Sequence, residues 1–202
     1  MQADVADHRR AGRPVGAAGP STADRILDVS LPLFARKGFA GVSLEEVGVA
    51  AGIRRASVLY HFQSKEVLYG RVVDRSFRAL TEELRTAMGA HGDLQRSMAA
   101  TVGAWVGYLE KNPDFARLLL RELVAEQGPG HILLQQRVVP LLDMVATFFG
   151  PSSRSALVMV ASNALLSAAA GTLREPIWGR AEEVARMGRQ MLASVLPRGG
   201  AL

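Results

Sequence analysis

The polar residues with the clearest chemical potential lie together in one short stretch of the chain. Arg54, Arg55, Ser57, Tyr60 and His61 combine two guanidinium groups with hydroxyl and imidazole groups. Guanidinium groups bind phosphate oxygens and guanine edges, and the other groups can also reach bases or phosphates. If a helix presents this set outward, it predicts contacts in a DNA major groove. In an ordinary helical hairpin the same side chains would only be solvated, and periodicity alone leaves that alternative open.

The residues around this stretch predict two short helices joined by a tight turn. Ser43 followed by Glu46 is a capping box that starts the first helix. Gly52 ends it, because glycine tolerates the left-handed backbone of a tight helix exit. Gly48 lies where two crossed helices would touch and need a residue without bulk. A second helix over residues 54–62 completes a pattern typical of a helix-turn-helix.

Two residues near helix starts complete the predicted DNA-binding set. Ser43 caps the first helix of the motif, and Lys65 follows Ser64, which caps the next helix. A helix N-terminus attracts phosphate because backbone amides converge there, and an ammonium group adds to that attraction. A surface lysine without a partner is the alternative for Lys65.

The chain from Ala51 to Glu66 resembles the recognition segment of the TetR family of transcriptional repressors. The preceding Phe-Ala-Arg-Lys-Gly-Phe at residues 34–39 resembles the end of the helix that comes before this segment in the family. The resemblance spans roughly residues 21–70. Leu59 stands where the family usually has a tyrosine that touches phosphate, so that contact is expected to be missing. Arg-Arg-Ala at residues 54–56 replaces the common Ser-Lys-Gly, so operator preference cannot be copied from relatives.

Composition supports a folded protein that works in a reducing cytoplasm. The 202 residues are 49% hydrophobic and 21% charged, which differs from a disordered profile. The chain contains no cysteine, which excludes disulfides and thiolate metal sites. Residues 1–65 hold nine Lys and Arg against six Asp and Glu, and the remainder holds fifteen against thirteen. Positive charge is therefore denser in the N-terminal third, as a DNA-binding head requires.

The helix and turn signals predict an all-α chain in three parts. Residues 1–20 should form a disordered basic arm, residues 21–65 the helix-turn-helix DNA-binding domain, and residues 66–202 a ligand-binding and dimerisation domain. The head should contain three helices, the first capped by Ser21 and running to about Lys37 with a bend at Pro32. The helices predicted after the head cover residues 65–88, 93–111, 113–127, 131–149, 154–173 and 180–196.

The basic arm and the longest apolar stretch each allow two interpretations. In the arm, Arg9, Arg10 and Arg13 could reach phosphates or the minor groove, or belong to a solvated tail. The longest apolar stretch, residues 156–173, is marginal in length for a membrane span and contains polar residues. We expect a buried core helix there and no membrane partner.

The body needs a role other than catalysis, and the resemblance implies ligand binding. Some of its aromatic and flexible side chains should line a pocket for a small apolar or aromatic molecule, and core packing is the simpler explanation for any single one of them. A body without room for about 300 Å³ would instead favour a regulator without small-molecule control. The candidate pocket residues are Phe77, Trp105, Tyr108, Phe115, Leu119, Met144 and Phe148.

Small residues at spacings of three and four near the C-terminus predict a surface for close helix contact. Two helices from each of two chains would form a four-helix bundle, and the resulting homodimer would bind an inverted-repeat operator in double-stranded DNA. A helix pair inside one chain is the alternative. The candidate interface residues are Leu157, Ala161, Ala164, Leu165, Ala168, Val184, Met187 and Met191.

An enzyme is the rival from another functional class. The histidines His8, His61, His91 and His131 lack the i,i+4 pairing of a helical metal site. The carboxylate pairs are adjacent in sequence and would diverge around a helix, and no phosphate loop or nucleophile motif is present. The sequence therefore predicts a ligand-responsive transcriptional regulator, most simply a repressor, with no catalytic residue, metal or cofactor.

Overall fold

The computed structural model describes residues 20–125, 128–150 and 153–195. Within these ranges the chain is helical and contains no strand, which confirms the predicted all-α fold. The predicted arm lies almost entirely outside the described residues. The described α-helices are α1 Thr22–Lys37, α2 Leu44–Ala51, α3 Arg55–Phe62, α4 Lys65–Gly89, α5 Leu94–Lys111, α6 Pro113–Val124, α7 Pro129–Phe149, α8 Arg154–Ala169, α9 Arg174–Trp178 and α10 Ala181–Val195.

Serine side chains begin three of these helices, as the sequence predicts. Each serine Oγ accepts a hydrogen bond from the backbone N–H three residues later, which satisfies one of the amides that lack an intrahelical partner. The pairs are Ser21 with Asp24 at 3.1 Å, Ser43 with Glu46 at 3.1 Å, and Ser64 with Val67 at 3.2 Å.

We call residues 21–65 the head and residues 66–195 the body. In the head, α1 packs against α2 and also reaches α4 and α6 of the body. This helix runs unbroken through Pro32, where the sequence predicts one bent helix rather than two. The long α4 leaves the head and lies along α5, which in turn packs against α8 and α10. α4 is therefore one continuous helix that connects the head to the body.

The C-terminal part of the body differs from the predicted boundaries. α8 ends at Ala169, before residue 173, because Gly171 takes a positive φ of 60° and a 3-10 turn follows. The sequence predicts no helix between residues 173 and 180, but α9 occupies most of that segment. Its Trp178 Nε1 donates to Asn163 Oδ1 at 2.9 Å, which holds this short helix against α8.

Apolar side chains from most helices meet in one continuous core. Leu80 of α4, Leu109 of α5, Phe115 and Leu118 of α6, and Leu192 of α10 are almost completely buried there. By length and composition α7 could cross a membrane, but its buried face packs into this core. α8 buries one side in the same way, which agrees with the core helix expected in that stretch.

One close helix contact in the body involves a glycine that the sequence interpretation did not single out. A Cβ on Gly188 would lie 2.8 Å from Val160 Cγ1 and 3.2 Å from Val102 Cγ1. Gly188 therefore lets α10 approach both α8 and α5 within one chain. A close helix contact at a small residue, which the sequence predicts between two chains, thus also occurs between helices of a single chain.

Candidate nucleic-acid interface and ligand cavity

Two glycines fix the angle between α2 and α3. Gly52 adopts the left-handed conformation with φ 68°, and its N–H donates to the carbonyls of Gly48 and Val49. A Cβ on Gly48 would lie 2.9 Å from the Ile53 carbonyl oxygen and 3.2 Å from the Arg55 nitrogen. Because both of these atoms belong to the backbone, α3 can approach α2 this closely only with glycine at position 48. The predicted helix-turn-helix geometry is confirmed here.

α3 turns its apolar residues inward and its polar residues outward. Val58 and Phe62 are buried, one helical turn apart, against the rest of the head. Tyr60 is 85% exposed, and its neighbours on the outer side are also accessible. Leu59 packs partly against the core and carries no polar atom that could reach a phosphate. The side chains that remain exposed or half-exposed are Arg54, Arg55, Ser57, Tyr60 and His61.

Cations on α1 support the head rather than its outer face. Arg25 Nη2 donates to the Ala51 carbonyl oxygen at 3.0 Å, at the end of α2. Lys37 Nζ lies 2.6 Å from Glu46 Oε1, so the Glu46 carboxylate pairs with α1 instead of closing the capping box. Among the described residues, Arg54 and Arg55 form no ion pair or side-chain hydrogen bond, which leaves both guanidinium groups available to a ligand.

A polar hollow of about 480 Å³ lies beside α3 at the start of α2. It is lined by residues 40–45 together with Arg55 and Lys65. The first N–H groups of a helix have no acceptor of their own, and the helix dipole favours an anion at this end. Two cationic side chains and the first backbone amides of α2 therefore converge on this space, which suits a phosphate group although the Glu45 carboxylate also lines it.

The structure specifies how Ser43 and Lys65 could contribute to phosphate binding in the hollow. The Ser43 hydroxyl is engaged as the cap of α2, so a phosphate there would meet backbone amides rather than that hydroxyl. Lys65 Nζ donates to the Val42 carbonyl oxygen at 3.0 Å and lies 4.4 Å from the centre of the Phe39 ring. The ammonium group is thereby held at the hollow. The sequence interpretation missed the backbone of residues 40–45, although the Ser43 cap already marks those amides.

Aromatic rings join the head to the body. The Tyr69 ring meets Phe34 and Phe39 edge to face, with centroids 4.9 Å and 5.3 Å away. Tyr69 is completely buried, and its hydroxyl finds no hydrogen-bond partner among the described residues. Burial raises the pKa of Tyr69 far above its usual range, and the nearby Glu122 carboxylate raises it further.

Helix α6 makes a second connection to the head. Arg121 Nη2 donates to the Arg36 carbonyl oxygen at 3.0 Å, at the end of α1. The same guanidinium lies beside Gly38, where an added Cβ would be 3.2 Å from Arg121 Nη1. The neighbouring Glu122 is buried between Tyr69 and Gly130, at the start of α7. α6 therefore contacts both the end of α1 and the start of α4.

The body contains an apolar cavity of about 240 Å³. It is enclosed by α4, α5, α6, α7 and α8 and is partly open to solvent. No lining side chain carries a charge. The lining residues are Phe77, Leu84, Thr101, Val102, Trp105, Leu119, Leu123, Val138, Leu141, Leu142, Val145, Leu157, Val158, Val160, Ala161, Ser162 and Leu165.

Three of the seven predicted pocket residues, Phe77, Trp105 and Leu119, line this cavity. Phe115 is buried behind it, with its ring centroid 5.2 Å from Phe77. Tyr108 is also buried; its hydroxyl donates to the Ser76 carbonyl oxygen at 2.7 Å, and burial raises its pKa to about 12.

The other two predicted pocket residues lie on α7. Met144 packs partly against the core without lining the cavity. Phe148 is 45% exposed on the outside of the body. Spacing along α7 did not reveal which of its sides faces the cavity, because apolar residues occur on both.

Most residues predicted for the dimer interface face the interior of the chain. Leu157, Ala161 and Leu165 line the cavity, and Ala164 and Val184 are buried. A second copy could not cover the buried Leu157, Ala164, Leu165 and Val184 without rearranging the protomer. This corrects the predicted surface at the buried positions: among the predicted alanines Ala164 points inward, whereas Ala161 and Ala168 are half-buried.

The outer sides of the same two helices carry different apolar residues. Met187, which the sequence interpretation included, is 50% exposed on α10, whereas Ala168 and Met191 are half-buried. On α8, Met159 is 51% exposed, and Leu166 lies two turns further along on the same side. Met159, Leu166 and Met187 are therefore apolar side chains that a partner could reach.

No group of three or more His, Asp or Glu residues that could hold a metal ion occurs within the described part of the chain. His61 lies on the outer side of α3, while His91 and His131 lie at or near the starts of α5 and α7. His8 lies outside the described residues. The histidines of the described ranges thus do not converge on one site.

Comparison with known proteins agrees with the head described above. Residues 26–72 match the family described as bacterial regulatory proteins, tetR family. The biofilm operon icaADBC HTH-type negative transcriptional regulator IcaR of Staphylococcus epidermidis is 35% identical over 54 residues, covering 27% of this chain and 29% of that protein. The corresponding regulator of Staphylococcus aureus is 37% identical over the same length. The chain thus spans less than a third of the length of the curated relatives it matches.

Similarity to solved structures extends over most of the chain. The fatty acid degradation regulator FadR from Bacillus halodurans covers 91% of this chain and 100% of its own, with a TM-score of 0.72 and 14% identity. The TetR family transcriptional regulator PfmR from Thermus thermophilus covers 87% and 100%, with a TM-score of 0.64 and 23% identity. At these identities the likeness concerns the fold, which includes the helical body as well as the head.

Proposed function

Since the chain is a member of the tetR family of bacterial regulatory proteins, we propose that it is a DNA-binding transcriptional repressor that acts as a homodimer and responds to a small apolar ligand. Its place of action would be the cytoplasm, where bacterial DNA is found. The family consists of regulators, which agrees with the expectation that the chain is not an enzyme. The observation that carries the proposal is the outward polar side of α3 beside the polar hollow that Arg55 and Lys65 line.

DNA binding would use two kinds of contact. The outer side of α3 would enter the major groove, where Arg54, Ser57 and His61 can reach base edges. Arg55 and Lys65 would hold a phosphate in the hollow together with the first amides of α2, which fixes the angle at which α3 enters. Such contacts are electrostatic in part, so affinity would fall as salt rises.

Dimerisation would place two heads on one side of the DNA. Met159 and Leu166 on α8 and Met187 on α10 lie on the outer sides of two packed helices, where a second copy could bury them. A two-fold axis through such a bundle predicts an inverted-repeat operator, with half-sites about one helical turn, roughly 34–36 Å, apart or a related spacing.

Ligand control would pass through α6 and α4. Leu119 and Leu123 lie one turn apart on α6 and line the cavity, while Arg121 and Glu122 between them contact the head and α4. A ligand that fits one position of α6 better than another would shift the head with it. Displacing a dimer from its operator needs only the few kcal/mol that differential binding supplies.

A regulator without small-molecule control is the second candidate. The cavity of about 240 Å³ is smaller than the roughly 300 Å³ at which ordinary ligand pockets begin. This size favours regulation by abundance or by a protein partner unless the ligand itself is small.

The test of DNA binding is selection of bound sequences from random duplex DNA with the full chain. An inverted repeat bound by two copies is the expected result. A pure sample that shows no affinity for any duplex at low salt would contradict the proposal.

The test of dimerisation uses charge on the outer sides of α8 and α10. The double variant Met159→Glu, Met187→Glu should become monomeric in sedimentation and lose at least about tenfold in operator affinity. Ile132→Glu, on the exposed side of α7, is the matched control and should remain dimeric. A double variant that stays dimeric would place the interface elsewhere.

A further inference from the structure

The lining of the body cavity contains no group that could neutralise a buried charge. Fifteen of its seventeen residues are apolar, and the other two are Thr101 and Ser162. The buried Thr101 hydroxyl already donates to the Ser97 carbonyl oxygen at 2.7 Å. Ser162 lies on the exposed side of α8, at the opening. An ion inside the cavity would therefore lose its hydration without gaining a partner, which is strongly unfavourable.

One neutral donor remains near the cavity. The Trp105 indole belongs to the lining, and its Nε1 is buried without an acceptor among the described residues. This N–H has no accessible surface, and a single neutral N–H would not compensate a full negative charge.

The volume limits the size of the ligand. An apolar cavity of about 150 Å³ in another protein holds benzene, and drug-sized ligands need about 300–1,000 Å³. The 240 Å³ of this cavity lies between these two cases. A ligand with on the order of ten carbon atoms, as a chain or as fused rings, fits this interval.

From charge, polarity and volume together, we infer that the body binds an uncharged, mainly hydrocarbon molecule of about ten carbon atoms and excludes its ionised analogues. This assignment rests on the proposed role of the cavity as the ligand site. It deepens that proposal by naming the chemical class of the ligand.

Trp105 provides a direct reporter of occupancy. The chain has two tryptophans, and the other one, Trp178, is hydrogen-bonded to Asn163 and does not line the cavity. The variant Trp178→Phe therefore leaves Trp105 as the single indole fluorophore, inside the lining of the cavity.

The experiment titrates this variant of the full chain with three probes that share one chain and differ in head group: 1-decanol, decanoate and decylammonium. At about pH 8 the last two are ionised. We expect 1-decanol to change Trp105 emission saturably, and the two ions to bind at least about 30-fold more weakly. Equal or tighter binding of either ion, or no saturable response to 1-decanol, would overturn the inference.

Variants test whether the probe occupies the cavity. Ala161→Phe adds a ring inside the lining, and it should weaken 1-decanol binding at least about tenfold. Ala79→Phe makes the same change on the exposed side of α4; it is the matched control and should bind like the parent. Equal binding by both variants would overturn the assignment.

A second variant keeps the test decisive if Ala161→Phe fails to fold. Leu123 lines the cavity but is 50% exposed, so Leu123→Glu adds a carboxylate at the opening without filling the core. Decylammonium should then gain at least about tenfold relative to 1-decanol, because the new charge offers it a partner. No change in that ratio would contradict binding at this opening.

Release of operator DNA is measured separately on the same samples. If 1-decanol occupies the cavity but leaves DNA bound, the ligand class stands and the proposed ligand control fails. If no probe binds while DNA binding persists, the ligand class fails and the proposed DNA-binding role stands.

Discussion

In the head, α3 presents polar side chains to solvent, whereas in the body α4 to α8 enclose a space without a charged residue. Tyr60 projects outward, and Arg54 and Arg55 are exposed beside it. Trp105 and Phe77, by contrast, face inward on the cavity. Helices thus form two kinds of site in this chain. Which kind results depends on whether the functional side of a helix is left open or covered by neighbours.

The two sites also depend on different forces. The outer side of α3 attracts DNA over distance through charge, and this attraction weakens with salt. The cavity gains free energy only when apolar surface leaves water, so contact and shape decide its affinity. The DNA-binding side of α3 and the cavity are connected by residues at the junction of head and body, above all Phe34, Tyr69 and Arg121.

The largest expected effect tests whether head and body fold as one unit. Phe34 is completely buried at the junction, so Phe34→Ala should lower the free energy of unfolding by about 3–5 kcal/mol. Because α1 packs on α4 and α6, we expect one cooperative transition in urea, shifted as a whole.

The matched control is Phe148→Ala, which removes a ring that is already 45% exposed. It should cost less than about 1 kcal/mol. Two separate transitions, with only one of them shifted by Phe34→Ala, would mean that head and body are independent domains.

Gly48→Ala should also lower the free energy of unfolding, but by less than Phe34→Ala. In Gly48→Ala the new methyl group would press on the backbone of Ile53 and Arg55, at an expected cost of about 1–3 kcal/mol in stability. Operator affinity, measured by fluorescence anisotropy, should fall with it because α3 is displaced. Gly103→Ala adds the same group in open space on α5 and should stabilise the chain by about 0.5–1 kcal/mol. Similar effects of the two substitutions would exclude a special role for Gly48.

The charged residues of α3 should separate base contacts from phosphate contacts. Arg54→Ala and Arg55→Ala should each cost about 1–3 kcal/mol in operator affinity. Because Arg55 lines the hollow, its loss should weaken all sequences alike and reduce the salt slope by about 1. Arg54→Ala should instead relax the preference at one base position.

Arg78→Ala removes an exposed arginine from α4, away from the hollow, and serves as the control. Its operator affinity should match that of the parent within a few tenths of a kcal/mol. If Arg78→Ala weakened binding as much as Arg55→Ala, general charge rather than the hollow would explain the effect.

The smallest expected effect concerns the connection between the two sites. Arg121→Met removes the hydrogen bond to the Arg36 carbonyl oxygen, which is worth about 0.5–1.5 kcal/mol. Ligand affinity without DNA and DNA affinity without ligand should change little, while the factor by which ligand weakens DNA binding should fall. Arg117→Met, on the same helix and paired with Asp114, is the control. An unchanged factor in Arg121→Met would exclude this contact from the coupling.

The sequence by itself determined the helix-turn-helix and the polar residues of its outer side. The signals at Ser43, Gly48 and Gly52 act over three to five residues, and the hydrogen bonds they predict are local. Such bonds depend little on the rest of the chain. Residue type and helical spacing were therefore sufficient to place Arg54 and Tyr60 on an exposed side.

Only the tertiary structure decided which side of α8 faces inward and where the two parts of the chain touch. α8 carries apolar residues all round, so spacing cannot distinguish Leu157, which lines the cavity, from Met159, which lies outside. The bond from Arg121 to Arg36 joins residues 85 positions apart, and that from Lys65 to Val42 joins residues 23 apart. Contacts of this kind depend on how separate helices pack, and a local pattern contains no information about its distant neighbours.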